Sequence, residues 1–321
     1  MANYFASNVR TVVLFLATLS HLSAQAAEIP TAVPEDVGMS SQKLAKVDDV
    51  LNDLVEQKRL AGGTVIIARR GKIVHFNSYG MADVEQQRPM KNDAIMRFYS
   101  MSKAITSAAV MILADDGKLT VNDPVSRHIP ELAKVKVATT DGLVDPKREV
   151  TIADLLRHTS GYTYGGSPQP ESNDAFRKVA PLDATRTLKQ MGERLANVPL
   201  AFQPGEDWIY GISIDVLGRV IEVASEQSLD TFLKTRIFQP LDMKDTGFFV
   251  PQKKHDRFAQ VYNSNGNGKL AIGDNEEHRD FTKPRAFLSG GGGLVSTARD
   301  YLRFLMMIQQ GGTLDGQRIV S

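Results

Sequence analysis

The stretch Phe98-Tyr99-Ser100-Met101-Ser102-Lys103 leads into the segment that decides the fold. The residues after it are apolar nearly all round, and they predict a helix over Ser100 to Asp116 that Gly117 ends. A helix that is apolar on every side is buried, so this one belongs at the centre of the protein. Because it needs a broad sheet to lie against, we expect an α/β fold.

Ser100 and Lys103 share one face of this helix, because residues three apart lie one above the other. A serine hydroxyl is a weak nucleophile until a base removes its proton. A neutral lysine amine can be that base, and burial and the positive end of the helix dipole both favour the neutral form. The same helix end would stabilise the oxyanion formed when Ser100 attacks a carbonyl. The alternative is that Ser100 only caps the helix while Lys103 extends to solvent.

A second Ser-x-x-Lys spacing occurs at Ser40-Ser41-Gln42-Lys43. Ser40 or Ser41 is expected to cap a surface helix running to about Arg59, because apolar residues recur there at helical spacing. Lys43 should then point into water, so we assign this second motif no catalytic role.

Strand patterns stand on both sides of a mainly helical region. Thr64 to Arg69 and Lys72 to Ser78 are rich in β-branched residues and flank Arg70-Gly71, which predicts a β-hairpin. Other predicted elements are helices over Ile152 to His158, Leu188 to Ala196, Ser213 to Ala224 and Arg299 to Gln309, and strands over Phe258 to Tyr262 and Lys269 to Ile272. We expect one cooperative unit with a sheet at one end and a helical insertion at about 120–245. Since these strands are too few for the central helix, we also expect that C-terminal sheet strands are missing from this chain.

Two further segments contain residues suited to a site. Tyr210 ends a loop before a predicted helix, where its hydroxyl could hydrogen-bond a Ser–Lys pair, although it could equally be a partly buried structural tyrosine. The run Ser289-Gly290-Gly291-Gly292-Gly293 permits close approach of the backbone to a ligand or to another chain segment. A tight packing turn is the alternative for the glycines.

Five ordered segments resemble motifs of the β-lactamase-related serine hydrolases, from about residue 35 to the end. This group includes class C β-lactamases, D-alanyl-D-alanine carboxypeptidases and family VIII carboxylesterases. The segments are Phe98 to Thr106, Val150 to Gly161, Trp208 to Gly218, Phe238 to Phe248 and Ser289 to Asp300.

The resemblance implies a sandwich of an antiparallel sheet and flanking helices beside a mostly helical subdomain. By position, Ser100 would be the nucleophile and Lys103 its partner. Tyr210 would be a second base that passes a proton to the leaving group and then activates water. We assign four residues of the same motifs to the substrate pocket: Tyr99, Trp208, Gly291 and Gly292.

The chain departs from the group's pattern in two ways. Lactamases and peptidases of the group usually have an amide-contacting Asn two residues after the tyrosine, where this chain has Ile212. Family VIII-type esterases often lack that Asn. The third motif of the group (K-T-G, H-x-G or W-G-G on a late strand) does not occur before Ser321, and Lys244-Asp245-Thr246-Gly247 is not one. The second departure agrees with the shortage of strands.

These observations predict a carboxylesterase that acts on small or short-chain esters through an acyl-enzyme on Ser100. The alternatives are a D-alanyl-D-alanine carboxypeptidase or transesterase, a class C-like β-lactamase, and a non-catalytic cell-wall-binding protein.

No G-x-S-x-G elbow occurs, so His158 is interpreted as structural rather than catalytic. The expected partner is a small ester or amide. No His, Glu or Cys cluster has zinc spacing, and we expect neither a metal nor another cofactor.

The first 26 residues have the pattern of a signal peptide. Arg10 precedes a short apolar run, and Ala24-Gln25-Ala26 matches a leader cleavage site. The run is shorter than the about 20 residues that span a bilayer, so we expect no stable membrane anchor. We therefore expect a hydrolase domain over 27–321 that is periplasmic or secreted. The absence of cysteine is compatible with an oxidising compartment, and a net charge of +1 gives no sign of a nucleic-acid partner.

Overall fold

The computed structural model describes residues 27–264, 266–273 and 280–321. The predicted signal peptide over 1–26 lies outside the described residues. The helices of the described part are α1 Ser41–Glu56, α2 Ser102–Asp115, α3 Ile152–Arg157, α4 Pro170–Val179, α5 Leu188–Leu195, α6 Ser213–Ser225, α7 Leu229–Leu233 and α8 Ala298–Gln309. Its strands are β1 Gly62–Arg69, β2 Lys72–Asp83, β3 Arg88–Pro89, β4 Met96–Arg97, β5 Val137–Thr139, β6 Gly142–Val144, β7 Tyr262–Ser264, β8 Leu270–Ile272, β9 Val295–Ser296, β10 Thr313–Leu314 and β11 Gln317–Arg318.

The largest sheet is antiparallel, in the order β1-β2-β3. The turn between β1 and β2 has positive φ at Arg70 (52°) and Gly71 (74°), the turn geometry that matches the twist of two paired strands. The predicted hairpin is confirmed, and its second strand continues to Asp83.

Helices α1 and α8 pack on opposite faces of this hairpin. His75 and Tyr79 on β2 both contact Asp48 of α1. Phe76, whose side chain points the other way, lies 5.6 Å from the guanidinium carbon of Arg299 at the start of α8. Because alternate residues of a strand face opposite sides, the hairpin lies between the two helices.

The central helix α2 packs against α6 and α7 in the main hydrophobic core. Ile105, Ala109 and Val110 are fully buried. The prediction of a helix buried on nearly every side is wrong at one edge, since Ala104 is exposed and Met111 is 40% exposed.

Two helix boundaries differ from the sequence prediction by two or more residues. Helix α1 ends at Glu56 rather than Arg59, and its cap Ser40 accepts a hydrogen bond from the backbone of Lys43, as expected for a surface helix. Helix α2 begins at Ser102, because Tyr99–Met101 form a separate 3₁₀ turn. Ser100 therefore lies on the turn that leads into the helix.

The strand predicted over Phe258 to Tyr262 is wrong. Residues Gln252–Arg257 form a 3₁₀ helix, and Phe258 makes only an isolated parallel bridge with Ile95. Its ring packs against the small cluster of Ile95, Val250, Phe281 and Val295, so its apolar character serves that cluster and not a sheet. The strand predicted over Lys269 to Ile272 is confirmed as β8, which pairs with β7.

The region 120–245 contains α3 to α7 and one short hairpin, β5–β6, that the sequence analysis did not predict. Mixed helices and antiparallel strands confirm the predicted α/β class. Among the described residues, no helix is both long and apolar enough to cross a membrane.

Candidate active site

The turn that carries Ser100 is fixed from both sides. Strand β4 before it pairs with β9, and the backbone N–H of Phe98 donates to the carbonyl of Leu294 at 2.9 Å. After the turn, the Tyr301 hydroxyl donates to the carbonyl of Met101 at 3.1 Å. Between these contacts Tyr99 has φ of +44°, a left-handed conformation that costs a non-glycine residue about 1–3 kcal/mol. The surrounding contacts hold this strained turn, which presents Ser100 on the surface.

Ser100, Lys103 and Tyr210 come together in one hydrogen-bonded cluster. Ser100 Oγ lies 2.6 Å from the Tyr210 hydroxyl and accepts a hydrogen bond from Lys103 Nζ at 3.2 Å. Lys103 Nζ also donates to the carbonyl of Gly291 at 2.6 Å and lies 4.7 Å from the centre of the Tyr210 ring. Because Lys103 donates to the serine oxygen, the serine hydrogen is free to point at the tyrosine oxygen.

The surroundings of Tyr210 lower the pKa of its hydroxyl. Burial raises the pKa of Tyr210, but hydrogen bonds from Lys103 and Ser100, together with the positive charge of Lys103, outweigh burial and lower it below 10. A lowered pKa increases the fraction of the tyrosine that is deprotonated, which is the form able to accept a proton. The same positive charge adds to burial in lowering the pKa of the nearby His158, which favours a neutral imidazole.

The segment after α3 positions the Tyr210 loop. His158 has φ of +59° and ends α3; its carbonyl accepts from the N–H of Ile209 at 3.1 Å, and its Nδ1 accepts from the N–H of Gly211 at 3.4 Å. A Cβ on Gly211 would lie 2.1 Å from the carbonyl oxygen of Tyr162, so glycine is required there. The His158 ring stacks at 4.9 Å from the Tyr210 ring. These contacts agree with the structural interpretation of His158, whose role is to support Tyr210 and its loop.

A buried carboxylate underlies this segment. Asp154 accepts two hydrogen bonds from Arg148, at 2.6 and 2.9 Å, and forms a capping box with Thr151. It also accepts from the hydroxyl of Thr159, the residue after His158, at 3.1 Å. Burial raises the pKa of Asp154, but the hydrogen bonds from Arg148 and Thr151 outweigh burial and lower it to about 2.

The glycine run lies behind Lys103 and is held by Asp215 of α6. Asp215 Oδ1 accepts from the Ser289 hydroxyl at 2.5 Å and from the N–H of Gly291 at 3.0 Å. The N–H of Gly292 donates to Ser289 Oγ at 3.0 Å. A Cβ on Gly291 would lie 2.5 Å from Asp215 Oδ2, whereas one on Gly292 would meet nothing closer than 3.7 Å. The glycines thus serve close approach between chain segments, and their N–H groups point inward.

The four residues assigned to the substrate pocket fall into two groups. Tyr99 and Trp208 present large exposed surfaces beside Ser100 and Tyr210, with Trp208 60% exposed. Gly291 is buried and Gly292 half-buried behind Lys103, so they form the rear wall of the cluster. Ile212 is fully buried in the main core, and the position that carries Asn in lactamases offers no polar group to the site.

Two functional candidates were missed in the sequence, Asp215 and Tyr164. Asp215 stands in the segment Asp215-Val216-Leu217-Gly218, but an acidic residue early in a helix is ordinary, and only the structure brings it to Gly291. Tyr164 follows the His158 segment, and its ring lies 5.8 Å from the Tyr210 ring. Burial and the charge of Asp215, with which its hydroxyl interacts, raise the pKa of Tyr164.

A cavity of about 570 Å³ lies elsewhere, between α7 and the segment Phe238–Val250. Its lining includes Phe248 and Leu288 but none of Ser100, Lys103 and Tyr210, so we assign it no part in the chemistry. Within the described ranges, no group of three or more His, Cys, Asp or Glu side chains is arranged to hold a metal ion.

Comparison with known proteins places the chain in a family. The model of the beta-lactamase family matches the chain over residues 47–320. An uncharacterized protein of Mycobacterium tuberculosis is 34% identical over 276 residues, which are 84% of this chain and 68% of that protein. Esterase EstB of Burkholderia gladioli is 33% identical over 302 residues, which are 87% of this chain and 73% of the esterase.

Among solved structures, this chain is similar to EstCE1, a hydrolase with promiscuous acyltransferase activity. The TM-score is 0.74 at 29% sequence identity, and the match covers 87% of this chain and 75% of EstCE1.

Proposed function

The chain belongs to the beta-lactamase family and is a serine hydrolase, and from this premise we propose that it is a carboxylesterase acting on small or short-chain esters. The observation that carries the proposal is the exposed Ser100, hydrogen-bonded to Tyr210 at 2.6 Å and to Lys103 at 3.2 Å. An exposed serine with two such partners can be deprotonated and reached by a carbonyl carbon.

In the proposed first half-reaction, Ser100 Oγ attacks the ester carbonyl while its proton passes to the Tyr210 oxygen. The ammonium of Lys103 stabilises the tyrosine in its phenolate form before the transfer and holds the serine oxygen in place. The tetrahedral intermediate then collapses, the C–O bond to the alcohol breaks, and the alcohol leaves with the proton from Tyr210. An acyl group remains on Ser100.

In the second half-reaction, water takes the place of the alcohol. Tyr210 removes one proton from the water, which attacks the acyl carbonyl, and the C–O bond to Ser100 breaks as the proton returns to the serine oxygen. The products are the free acid and the original enzyme. This sequence of steps assigns Tyr210 the proton transfers, and it assigns Lys103 electrostatic support instead of the role of base that its sequence spacing suggested.

The proposed preference for esters over amides rests on the lack of a side-chain amide at residue 212. Ile212 is buried in the core, and so the backbone position two residues after Tyr210 provides no side-chain amide for a peptide or lactam substrate. The similarity to esterase EstB supports the same preference. A peptidase, transesterase or lactamase of this family would use the same Ser100 chemistry on another carbonyl. The intact cluster of Ser100, Lys103 and Tyr210 speaks against a non-catalytic cell-wall-binding protein.

The test compares initial rates of the full-length protein on p-nitrophenyl acetate and on a chromogenic cephalosporin. We expect clear hydrolysis of the ester, slow or absent hydrolysis of the cephalosporin, and loss of both rates in Ser100→Ala. A clear preference for the cephalosporin would contradict the esterase proposal while leaving the role of Ser100 intact.

A further inference from the structure

Asp215 carries a carboxylate that the proposed proton transfers do not use, although it is 99% buried directly behind the site. It lies on the first turn of α6, five positions after Tyr210, and its contacts are with the site rather than with the rest of the core. Burying a charge is costly unless it is paired or hydrogen-bonded. A buried carboxylate at this place therefore requires a reason.

The groups around Asp215 favour its charged form. The Ser289 hydroxyl donates to it at 2.5 Å and the N–H of Gly291 at 3.0 Å, and both bonds need an acceptor oxygen. Burial raises the pKa of Asp215 above its usual value, and these two donors and the positive charge of Lys103 offset part of that rise. The two donors, together with the electrostatic attraction of the Lys103 ammonium, offset part of the cost of burying this carboxylate.

Gly291 links Asp215 to Lys103 directly. Its N–H donates to Asp215, and its carbonyl accepts from Lys103 Nζ at 2.6 Å. Asp215 thus fixes the backbone of the residue that receives the lysine ammonium. The backbone of Gly291 packs directly against Asp215, since any Cβ at Gly291 would lie 2.5 Å from the Asp215 carboxylate.

We propose that Asp215 is a positioning residue whose buried negative charge keeps the Lys103 ammonium in place, both directly and through the backbone of Gly291. The proposal rests on the proposed function, because the ammonium it stabilises is the one that supports Tyr210. Asp215 touches neither the substrate nor the reacting atoms. Its contribution is to set the pH range in which the cluster of Ser100, Lys103 and Tyr210 is correctly protonated.

The sign of the effect follows from the charges that face Asp215. Besides its hydrogen-bond donors, the groups that interact electrostatically with it include Lys103 of α2, Tyr164 after α3 and Tyr210. Lys103 in turn interacts with Tyr210 and with His158 at the end of α3. Removing a buried negative charge makes a proton easier to lose from every neighbour. Both limbs of the pH profile should therefore move to lower pH when Asp215 becomes neutral.

The variant that tests this is Asp215→Asn, which keeps the size of the side chain and an acceptor oxygen but removes the charge. Asp300→Asn is the matched control. Asp300, on α8, is also a buried carboxylate held by donors, from the N–H of Asp245 at 2.7 Å and the hydroxyl of Thr246 at 2.9 Å, but neither donor contacts Lys103. Circular dichroism and thermal melting report whether each variant folds.

The first readout is the rate at which a fluorophosphonate acylates Ser100, measured from pH 5 to pH 10. We expect the Asp215→Asn profile to shift by about one pH unit towards lower pH, and the Asp300→Asn profile to coincide with that of the unchanged protein. A profile of Asp215→Asn that coincides with the unchanged protein overturns the proposal, whatever its stability. An equal shift in Asp300→Asn also overturns it, because the effect would then be general.

The second readout needs no reaction. Carbon-13 NMR of labelled lysine, with Lys103→Gln used to assign the signal, follows the Lys103 amine through its titration. Titration at a pH about one unit lower in Asp215→Asn supports the proposal, and an unchanged titration refutes it. If the unchanged protein is not acylated at all, the proposed function fails, while this readout still decides the role of Asp215.

Discussion

The oxygen of Ser100 lies 2.6 Å from the hydroxyl of Tyr210, although 110 positions separate the two residues in the chain. The contact joins the turn before the central helix α2 to the loop before α6. Lys103 lies on the first turn of α2 and reaches both residues. The relationship makes the three side chains one proton-transfer unit.

Tyr210→Phe and Lys103→Ala should each lower esterase activity strongly, and their effects should not multiply. The phenylalanine keeps the ring that packs on His158 but removes the hydroxyl, so a loss of about 10²–10⁴-fold with little change in stability is expected. Since Lys103 acts by supporting Tyr210, the double variant should lose far less than the product of the two single losses. A double-mutant cycle on kcat/KM measures this, with circular dichroism as the check on folding. Losses that multiply would mean that the two residues act independently.

Gly291→Ala should reduce activity far more than Gly292→Ala. The new methyl group at residue 291 would lie 2.5 Å from the Asp215 carboxylate and displace the carbonyl that binds Lys103, whereas at residue 292 the nearest atom is 3.7 Å away. A misplacement of about 1 Å in a catalytic cluster can cost about 10²-fold in rate. We expect a loss of that order for Gly291→Ala and a change of only a few-fold for Gly292→Ala. Equal activities of the two variants would show that the position of the Gly291 carbonyl does not matter.

Asp154→Asn should destabilise the protein in a pH-dependent way. The pKa of this carboxyl is about 2 in the folded state, against about 3.9 when unfolded, which corresponds to about 2–3 kcal/mol of stability. Because the folded pKa is the lower one, the contribution is fully present above about pH 4 and disappears as pH falls towards 2. The difference in the free energy of unfolding between the unchanged protein and the variant should therefore be clearly smaller at pH 3 than at pH 7.

Urea unfolding at the two pH values measures the difference. Asp145→Asn is the control, since Asp145 is also paired with a cation, Lys136, but is largely exposed and should contribute nothing measurable. A difference for Asp154→Asn that stays constant from pH 7 to pH 3 would contradict the role given to its charge.

We also propose that the protein is exported and that its mature form begins near Ala27. The basis is the signal-peptide pattern of residues 1–26. N-terminal sequencing of the protein recovered from the periplasm or the culture medium checks this. A mature protein that retains Met1 would show that the segment is not removed.

The sequence was sufficient for the elements whose pattern is local. The hairpin around Arg70-Gly71 and helix α8 follow from turn chemistry and apolar spacing, and the structure has both. Tyr210 could be placed next to Ser100 only through the resemblance to a family, because no local pattern measures a distance between segments 110 positions apart.

The remaining features depend on tertiary contacts. Phe258 has the residue type of a strand, but it packs into a small cluster beside Ile95, and an apolar side chain does not reveal which partner will bury it. Tyr99 has positive φ because the contacts on both sides of its turn impose that conformation, which its own side chain disfavours. Asp215 is likewise unremarkable in the sequence and acquires its importance only from the approach of Gly291.

The central claim is that Ser100 is the nucleophile, and covalent labelling tests it most directly. The full-length protein is incubated with a fluorophosphonate and digested, and the labelled peptide is identified by mass spectrometry. We expect one label, on Ser100, lost in Ser100→Ala and retained in Ser40→Ala, whose serine has the same spacing to a lysine but only caps α1. A label on any other residue, or full labelling of Ser100→Ala, would contradict the account.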